Sequence, residues 1–167
     1  MIVSDTNVLS SFVVTDSVAW WLSAIQADHV IVSPAVWHEL EAAVTRGRLA
    51  KETLASLAEN GQVRIIALTA HEQRQISELP SSFGAREKES LLLATRLSAT
   101  LLSNDRRVVN YCREQDMSCF DLRAVLRYIW IRRVASQQQV RQLMRRMTER
   151  EGVVFKNPER VFAPEKK

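Results

Sequence analysis

The chain has 167 residues, 46% of them hydrophobic, which is enough for one α/β domain with its own core but marginal for two. No apolar run approaches the roughly 20 residues of a membrane-spanning helix, and no basic segment leads into an apolar one at the start, so we expect a cytoplasmic protein with no membrane partner. The net charge is +4, and 18 of the 23 basic residues are arginine, whose planar guanidinium matches phosphate and carboxylate geometry.

The first half of the chain alternates short apolar runs with helical patterns. Residues 2–3 form a strand that stops at the polar turn Ser4-Asp5-Thr6-Asn7, after which apolar residues recur at helical spacing. Further patterns predict helices over residues 18–25, 34–47 and 49–58, and strands over residues 29–32 and 63–66. The helix over residues 34–47 begins with Ser33 as the capping residue and Pro34 in the first turn.

The second half continues the same alternation. Its patterns predict helices over residues 72–79, 87–97, 107–114 and 122–133, and strands over residues 100–103 and 118–120. The repeated order of strand and helix favours an α/β fold with a central parallel sheet of four to five strands and helices on both faces. Ligands bind such sheets at the carboxyl ends of the strands, where Asp5 and Asp105 both fall.

The last stretch differs from the alternating part. Residues 136–150 predict an amphipathic helix with a narrow apolar stripe formed by Val140, Leu143, Met144 and Met147. We therefore expect a domain over residues 1–135. Residues 136–167 are then either part of the same domain or an extension that docks a partner. We expect the tail from residue 153 onward to be partly ordered at most.

Carboxylates occur in four separate segments of this predicted fold. Asp5 and Asp105 each follow a strand, Glu39 lies at the edge of an apolar helix face, and Glu87 and Glu89 open the most apolar helix. A hydrolase that uses Mg²⁺ or Mn²⁺ needs carboxylates from several segments, because these ions prefer oxygen ligands. Residues two apart on a helix point about 200° apart, so only one of Glu87 and Glu89 is expected to reach a metal.

An aspartate after the first strand also suits other chemistries. A phosphotransferase with Asp5 as nucleophile wants a second aspartate two positions on, where this chain has Asn7. A receiver domain wants an acidic pair ahead of it, where the chain has residues 1–4, Met-Ile-Val-Ser. Both absences argue against a phosphoacceptor, and Asp5 stays open between a functional carboxylate and a helix cap.

Four motifs occur in one order along residues 1–125. They are Asp5-Thr6-Asn7, Val36-x-x-Glu39, Glu87-x-Glu89 ahead of Leu91 to Ala94, and Leu101-Leu102-Ser103-Asn104-Asp105. In this order they resemble the PIN-domain nuclease family, and the stretch from Asp105 to Leu126 resembles its toxin-type, VapC-like branch. The resemblance implies a PIN-like three-layer α/β/α fold.

The resemblance also implies a carboxylate cluster that binds Mg²⁺ or Mn²⁺ and activates water to cleave RNA. The implied catalytic residues are Asp5, Glu39, Glu87, Glu89 and Asp105. Asp5 and Asp105 would be the direct metal ligands, and the glutamates would act through waters. The expected substrate contacts come from Thr6, Asn7 and Arg106.

The hypothesis from the sequence is a metal-dependent endoribonuclease that is the toxin of a type II toxin–antitoxin pair. Its expected partners are an RNA substrate, a small antitoxin protein and a second copy of the chain in a homodimer. The alternative is a catalytically inactive PIN-like module that binds RNA or assists assembly. Asn104 supports this alternative, because the toxin-type branch often has another aspartate there.

Overall fold

Five short parallel strands form the central sheet in the computed structural model, which describes residues 1–163. The strands are β1 (Ile2–Ser4), β2 (Val30–Val32), β3 (Val63–Ile65), β4 (Thr100–Leu102) and β5 (Cys119–Phe120). Their spatial order is β3-β2-β1-β4-β5, so β1 and β4 are neighbours, with Ser4 opposite Leu102. The predicted parallel sheet is confirmed, with β1 at its centre.

Helices connect successive strands and continue beyond the last one. They are α1 (Thr6–Val14), α2 (Val18–Ile25), α3 (Pro34–Thr45), α4 (Lys51–Glu59), α5 (Ala70–Gln75), α6 (Ala85–Arg96), α7 (Arg106–Glu114), α8 (Leu122–Ile131) and α9 (Gln137–Glu151). Short 3₁₀ turns cover Ile76–Glu78 and Pro158–Val161. The helix predicted over residues 72–79 thus starts earlier, where Thr69 and Glu72 form a capping box, and tightens into a 3₁₀ turn at its end.

Two apolar clusters lie on opposite faces of the sheet. Successive side chains of a strand point to opposite faces, so Ile2 and Leu102 pack into one cluster while Val3 and Leu101 pack into the other. The larger cluster buries apolar residues of α1, α2, α8 and α9, and the smaller one buries those of α6 and α7. The arrangement is the expected three-layer α/β/α fold.

The apolar stripe of α9 packs inside the larger cluster. Val140, Leu143, Met144 and Met147 are all buried there. At the end of the helix, Glu151 accepts a hydrogen bond of 2.7 Å from the Ser11 hydroxyl on α1. The apolar stripe of α9 is therefore part of the larger apolar cluster in this structure.

The segment after α9 has one well-packed stretch. Val161 and Phe162 are buried, and the Phe162 ring packs edge-on against Trp130. Both carboxylate oxygens of Glu159 also accept hydrogen bonds of 2.6 Å from Arg141 on α9. Residues 164–167 of the predicted tail lie outside the described residues.

Within the described part of the chain, no single helix has both the length and the apolar character to cross a membrane. Taken together, α1 and α2 are long and apolar enough for a membrane span by length and composition alone, but they meet at a bend of 120°.

Candidate active site

Asp5 lies where the central strand β1 ends and α1 begins. It caps α1, and its Oδ1 accepts a hydrogen bond of 2.6 Å from the Thr6 amide. Its Oδ2 accepts a second bond, of 3.2 Å, from the Ser103 hydroxyl just past β4. The residue is only 1% exposed, as expected at the centre of a sheet covered on both faces.

The pKa of Asp5 is raised from 3.8 to about 6. Burial is the main cause, because a low-dielectric environment disfavours the charged carboxylate. The Thr6 amide opposes the shift, and the negative charge of Glu87 adds to it. Asp5 and Glu87, which come from different elements, therefore lie close enough for their charges to interact.

Glu87 is the buried carboxylate of α6, and Gly84 makes room for it. A Cβ atom added at Gly84 would stand 2.7 Å from the Glu87 Oε2. The backbone of Gly84 has an ordinary negative φ, so space and not conformation accounts for the glycine. Gly84 caps α6 and Glu87 is three residues further on, so the helix start itself fixes where this carboxylate lies.

Arg86 joins Glu87 to Glu39 on α3. Its Nε donates a hydrogen bond of 3.1 Å to the Glu87 Oε1, and its Nη1 donates to the Glu39 Oε1. Burial would raise the pKa of Glu39, but the hydrogen bond and charge of Arg86 outweigh it, and the net shift is downward. Contact with both glutamates also raises the pKa of Arg86.

The Thr6 hydroxyl on α1 lies within reach of the Glu39 carboxylate on α3 and contributes to the lowered pKa of Glu39. Apart from each other, the Thr6 Oγ1 and the buried Glu39 Oε2 have no further hydrogen-bond partner in the described structure.

Asp105 lies past the end of β4, the neighbour of β1, but its carboxylate is paired elsewhere. It caps α7, and its oxygens accept bonds from the Arg107 amide at 2.8 Å and from the Arg107 Nη2 at 2.6 Å. The Arg107 hydrogen bond is the largest cause of the lowered pKa of Asp105. Asp105 is tied to Asp5 only indirectly, because its amide donates to the same Ser103 hydroxyl that contacts Asp5.

Glu89 contacts the start of α3. Its Oε2 accepts a hydrogen bond of 3.0 Å from the Ala35 amide in the first turn of α3. A carboxylate stabilises a helix start because the amides there lack partners within the helix. Of the two glutamates left open by the sequence, Glu87 is the one turned toward Asp5.

A small cleft, here called the acidic cleft, opens over the two glutamates that Arg86 joins. Its lining residues are Ala35, Glu39, Gly84, Ala85, Arg86, Glu87 and Arg107. The oxygen-rich donors Asp5, Glu39 and Glu87 have the chemistry that Mg²⁺ or Mn²⁺ prefers. Among residues 1–163, however, no three acidic, histidine or cysteine side chains converge closely enough to hold an ion. The donor types fit a divalent cation, but their spacing in this structure does not, and Arg86 lies between Glu39 and Glu87.

A larger cavity of about 970 Å³, here called the basic groove, meets the acidic cleft at Glu39. Its basic lining residues are Arg46, Arg48, Arg106, Arg113, Arg123, Arg150 and Lys156. Its acidic lining residues are Glu39, Asp121 and Glu151, so the groove has an excess of positive charge. The predicted substrate residues Thr6, Asn7 and Arg106 all line it.

Asn104, which departs from the motif, has a structural contact at the edge of the groove. Its Oδ1 accepts a hydrogen bond of 2.9 Å from the Leu122 amide at the start of α8. The same helix start is capped by the Asp121 carboxylate, which accepts from the Ala124 amide at 2.9 Å. Asn104 therefore supports the start of α8 and lies apart from the acidic cleft.

Sequence reasoning missed three residues of this region. They are Arg86, Ser103 and Arg107. All three lie within two positions of a predicted carboxylate, so their proximity along the chain was visible, and the spacing from Gly84 to Glu87 already favoured Glu87 slightly over Glu89. The direction of each side chain depends on how α6 packs against α3 and β1, and this packing could not be predicted from the sequence.

Two comparisons with known proteins give a match. A family model described as PIN domain (DUF3368) matches residues 1–159. A solved structure of a PilT N-terminus domain protein from the hyperthermophilic archaeon Sulfolobus solfataricus P2 aligns with a TM-score of 0.48 and 16% identity, covering 77% of this chain and 92% of that one. No curated protein matches the sequence.

Proposed function

Because the chain belongs to the PIN-domain family, whose members are generally nucleases, we propose that it is an endoribonuclease that hydrolyses RNA phosphodiester bonds with Mg²⁺ or Mn²⁺. The observation that carries this proposal is the buried pair Asp5 and Glu87, joined through Arg86 to Glu39 beside a groove rich in arginine. Carboxylate oxygens can bind a metal ion, and the neighbouring basic groove can bind a polyanion such as RNA.

PIN domains typically use divalent metals. In this chain Asp5, Glu39 and Glu87 would hold the ion, which would polarise the phosphate and lower the pKa of the attacking water. Burial of Asp5 keeps its carboxylate away from bulk solvent, and the Ser103 and Thr6 hydrogen bonds hold it in one orientation. The Asp105 amide would help to position Asp5 indirectly, because it donates to the Ser103 hydroxyl that in turn donates to Asp5. The carboxylate of Asp105 is neutralised by Arg107.

The basic groove is the proposed path of the RNA strand. Arg46, Arg48, Arg106 and Lys156 are exposed, and none forms an ion pair within residues 1–163. Unpaired arginines and lysines attract a phosphate backbone, and the attraction weakens as salt rises. Since Glu39 borders both cavities, a strand in the groove would pass the edge of the acidic cleft.

The proposal is tested with a labelled single-stranded RNA and purified protein in Mg²⁺, in Mn²⁺ and in excess EDTA. We expect internal cleavage with either metal and none with EDTA. Asp5→Asn is expected to remove cleavage while RNA binding through the groove persists. Binding without cleavage by the unchanged chain would instead support the alternative of an inactive RNA-binding module.

We further propose that the chain is the toxin of a type II pair, held by a small antitoxin. The support is the likeness of residues 105–126 to the toxin-type branch. Since the stripe of α9 is buried, an antitoxin would have to contact another surface. Expression should arrest growth with the unchanged chain and not with Asp5→Asn, and co-expression of the neighbouring reading frame should restore growth.

A further inference from the structure

Two aromatic side chains lie exposed beside each other at one edge of the sheet. Phe120 ends β5, the edge strand, and Tyr128 lies on α8, the helix that follows it. Their ring centroids are 6.3 Å apart, and the ring planes are inclined by 37°. Phe120 is 42% exposed and Tyr128 is 46% exposed, so the two rings contact each other and still present a large surface to solvent.

The position of Phe120 in the sheet explains its exposure. Phe120 pairs in register with Leu102 on β4, which is only 1% exposed. β4 has a strand on each side, whereas β5 has β4 alone as a neighbour. The Phe120 ring therefore lies at the open side of the sheet, where the Tyr128 ring covers it only in part. The pair is an open aromatic surface at the margin of the core.

This aromatic surface is continuous with the basic groove along the chain. Phe120 is followed directly by residues 121–123, and all three of them line the groove. The Asp121 carboxylate accepts a hydrogen bond of 2.9 Å from the Arg123 guanidinium, so the one acidic group at the start of α8 is already neutralised. A strand that leaves the groove past the start of α8 would reach the Phe120 ring next.

Positive charge continues on the far side of the rings. Arg132 caps the end of α8 one helix turn after Tyr128, and Arg133 follows it. Both are exposed, and neither forms an ion pair within residues 1–163. α8 itself contains no acidic residue. Exposed rings between groups of arginines suit an anionic ligand that also carries flat aromatic groups, and unpaired nucleotides combine both properties.

We propose that Phe120 and Tyr128 form a base-stacking site for unpaired nucleotides of an RNA strand that extends beyond the basic groove. This inference rests on the proposed function only in placing RNA in that groove. The groove attracts the phosphates, and the two rings add affinity through the faces of the bases. Bases in a duplex already stack on their neighbours, so the site favours single-stranded RNA.

The first experiment measures the Kd of a labelled single-stranded RNA longer than the groove, with EDTA present so that cleavage cannot interfere. The variants are Phe120→Leu and Tyr128→Leu, which keep an apolar side chain but remove the ring. We expect each to bind about tenfold more weakly, equivalent to about 1.4 kcal/mol, the size of one stacked base. Ile65→Ala is the control, because Ile65 is 45% exposed on the opposite edge strand β3, and its affinity should stay within about twofold.

The salt dependence of binding separates stacking from charge. The slope of affinity against salt reports how many phosphates the protein neutralises. The leucine variants remove no charge, so we expect their slopes to equal that of the unchanged chain, whereas Arg132→Gln should reduce the slope by about one ion. A reduced slope in both leucine variants would overturn the stacking role.

A third measurement detects the stacked base directly in the unchanged protein. The fluorescence of 2-aminopurine falls when this base stacks on an aromatic ring. We expect the unchanged chain to quench the label at one or two adjacent positions of the RNA and Tyr128→Leu to lose this quenching. Absence of quenching at every labelled position would overturn the proposal.

A second copy of the chain is the other candidate occupant of the aromatic surface. Light scattering of the unchanged chain and of Tyr128→Asp distinguishes it from RNA. A dimer that Tyr128→Asp dissociates would overturn the proposal, because the rings would then be covered by protein. An equal mass for both proteins supports it, since the rings are then accessible to bases.

These outcomes are distinguishable from failure of the proposed function. Leucine variants that bind RNA as tightly as the unchanged chain overturn the stacking site, even if the chain cleaves RNA with Mg²⁺. Weaker binding in both leucine variants supports the site, even if no cleavage occurs, and the chain is then an RNA-binding protein but not a ribonuclease. No binding of RNA by the unchanged chain would overturn both proposals.

Discussion

Asp5 is the residue at which burial and charge conflict most directly. Its carboxylate is almost fully enclosed, accepts two hydrogen bonds and lies near the charge of Glu87. The pKa of about 6 in the folded chain exceeds the ordinary value of 3.8. Ionised Asp5 is therefore a cost to folding that a bound cation would offset.

Asp5→Asn should stabilise the protein at pH 8 and not at pH 4. The raised folded-state pKa means that protonated Asp5 favours the fold at low pH and that this contribution is lost as pH rises through about 6. A shift of about two units corresponds to at most about 3 kcal/mol, so we expect a gain of roughly 1–3 kcal/mol at pH 8. Urea unfolding of both proteins at the two pH values measures this difference. A destabilised variant at pH 8 would contradict it.

Gly84→Ala should lower activity with little effect on stability. The new Cβ would stand 2.7 Å from the Glu87 Oε2 and push this carboxylate aside, while the backbone conformation suits alanine. We expect kcat for RNA cleavage to fall about tenfold, because misplaced catalytic groups lose rate steeply, and unfolding to change by less than about 1 kcal/mol.

Gly61→Ala provides the matched comparison. Gly61 has a φ of +68° and open space around it, so alanine there strains the backbone without touching the acidic cleft. We expect a loss of about 1 kcal/mol in stability and unchanged kcat. Equal changes of kcat and of stability in Gly84→Ala and Gly61→Ala would show that Gly84 does not make room for the Glu87 carboxylate.

At the scale of elements, α6 presents two glutamates in different directions. Glu87 is turned toward Asp5 and β1, whereas Glu89 supports the first turn of α3. Each helix thereby fixes the other, since α3 carries Glu39 toward Arg86 on α6. The acidic cleft depends on this pairing of α3 with α6.

Glu87→Gln and Glu89→Gln should therefore separate activity from stability. We expect the first to remove most RNA cleavage with little loss of stability. The second should keep cleavage and lose about 0.5 kcal/mol, the size of a charge interaction at a helix start. Cleavage assays and thermal unfolding of the two variants check this, and equal loss of cleavage in both would contradict the assignment of α6.

The elements themselves could be predicted from the sequence, because apolar periodicity and capping residues are local. The β1 strand, the start of α3 at Pro34 and the α9 stripe all follow from such signals. The sequence could not settle the choice between Glu87 and Glu89 or predict the pairing of Arg86 with Glu39. Both depend on the angle at which α3 packs against α6. The order of residues 158–162 was also hidden, because it rests on the distant contact of Phe162 with Trp130.

At the scale of the whole molecule, elements from both ends of the chain border the basic groove. Asn7 on α1 faces residues 153–156 that follow α9, and Arg46 and Arg106 approach from α3 and α7. Charge from distant parts of the sequence is thus gathered on one surface. The acidic cleft opens at the edge of that surface.

Charge reversal in the groove should act on binding. We expect Arg46→Glu and Arg106→Glu each to raise KM at least about tenfold and to reduce the salt dependence of RNA binding by about one ion. Arg106 contacts none of Asp5, Glu39 and Glu87 in the described structure, so kcat should change less in Arg106→Glu. Arg46 also lowers the pKa of Glu39, so Arg46→Glu should lower kcat as well. Arg145→Glu is the control, and an equal effect of this control would indicate a general charge effect in place of a groove.

The contact of α9 with α1 has a consequence for how the protein is made. Ribosomes deliver a chain from its first residue onward, so the carboxylates of Asp5 to Asp105 emerge before Val140 to Met147 fill the core and before Glu151 meets Ser11. Residues 153–156, which line the basic groove, are synthesised later still. A nascent chain therefore carries its acidic residues well before the basic groove beside them has formed. Any activity that depends on both cavities becomes available only after synthesis has passed residues 153–156.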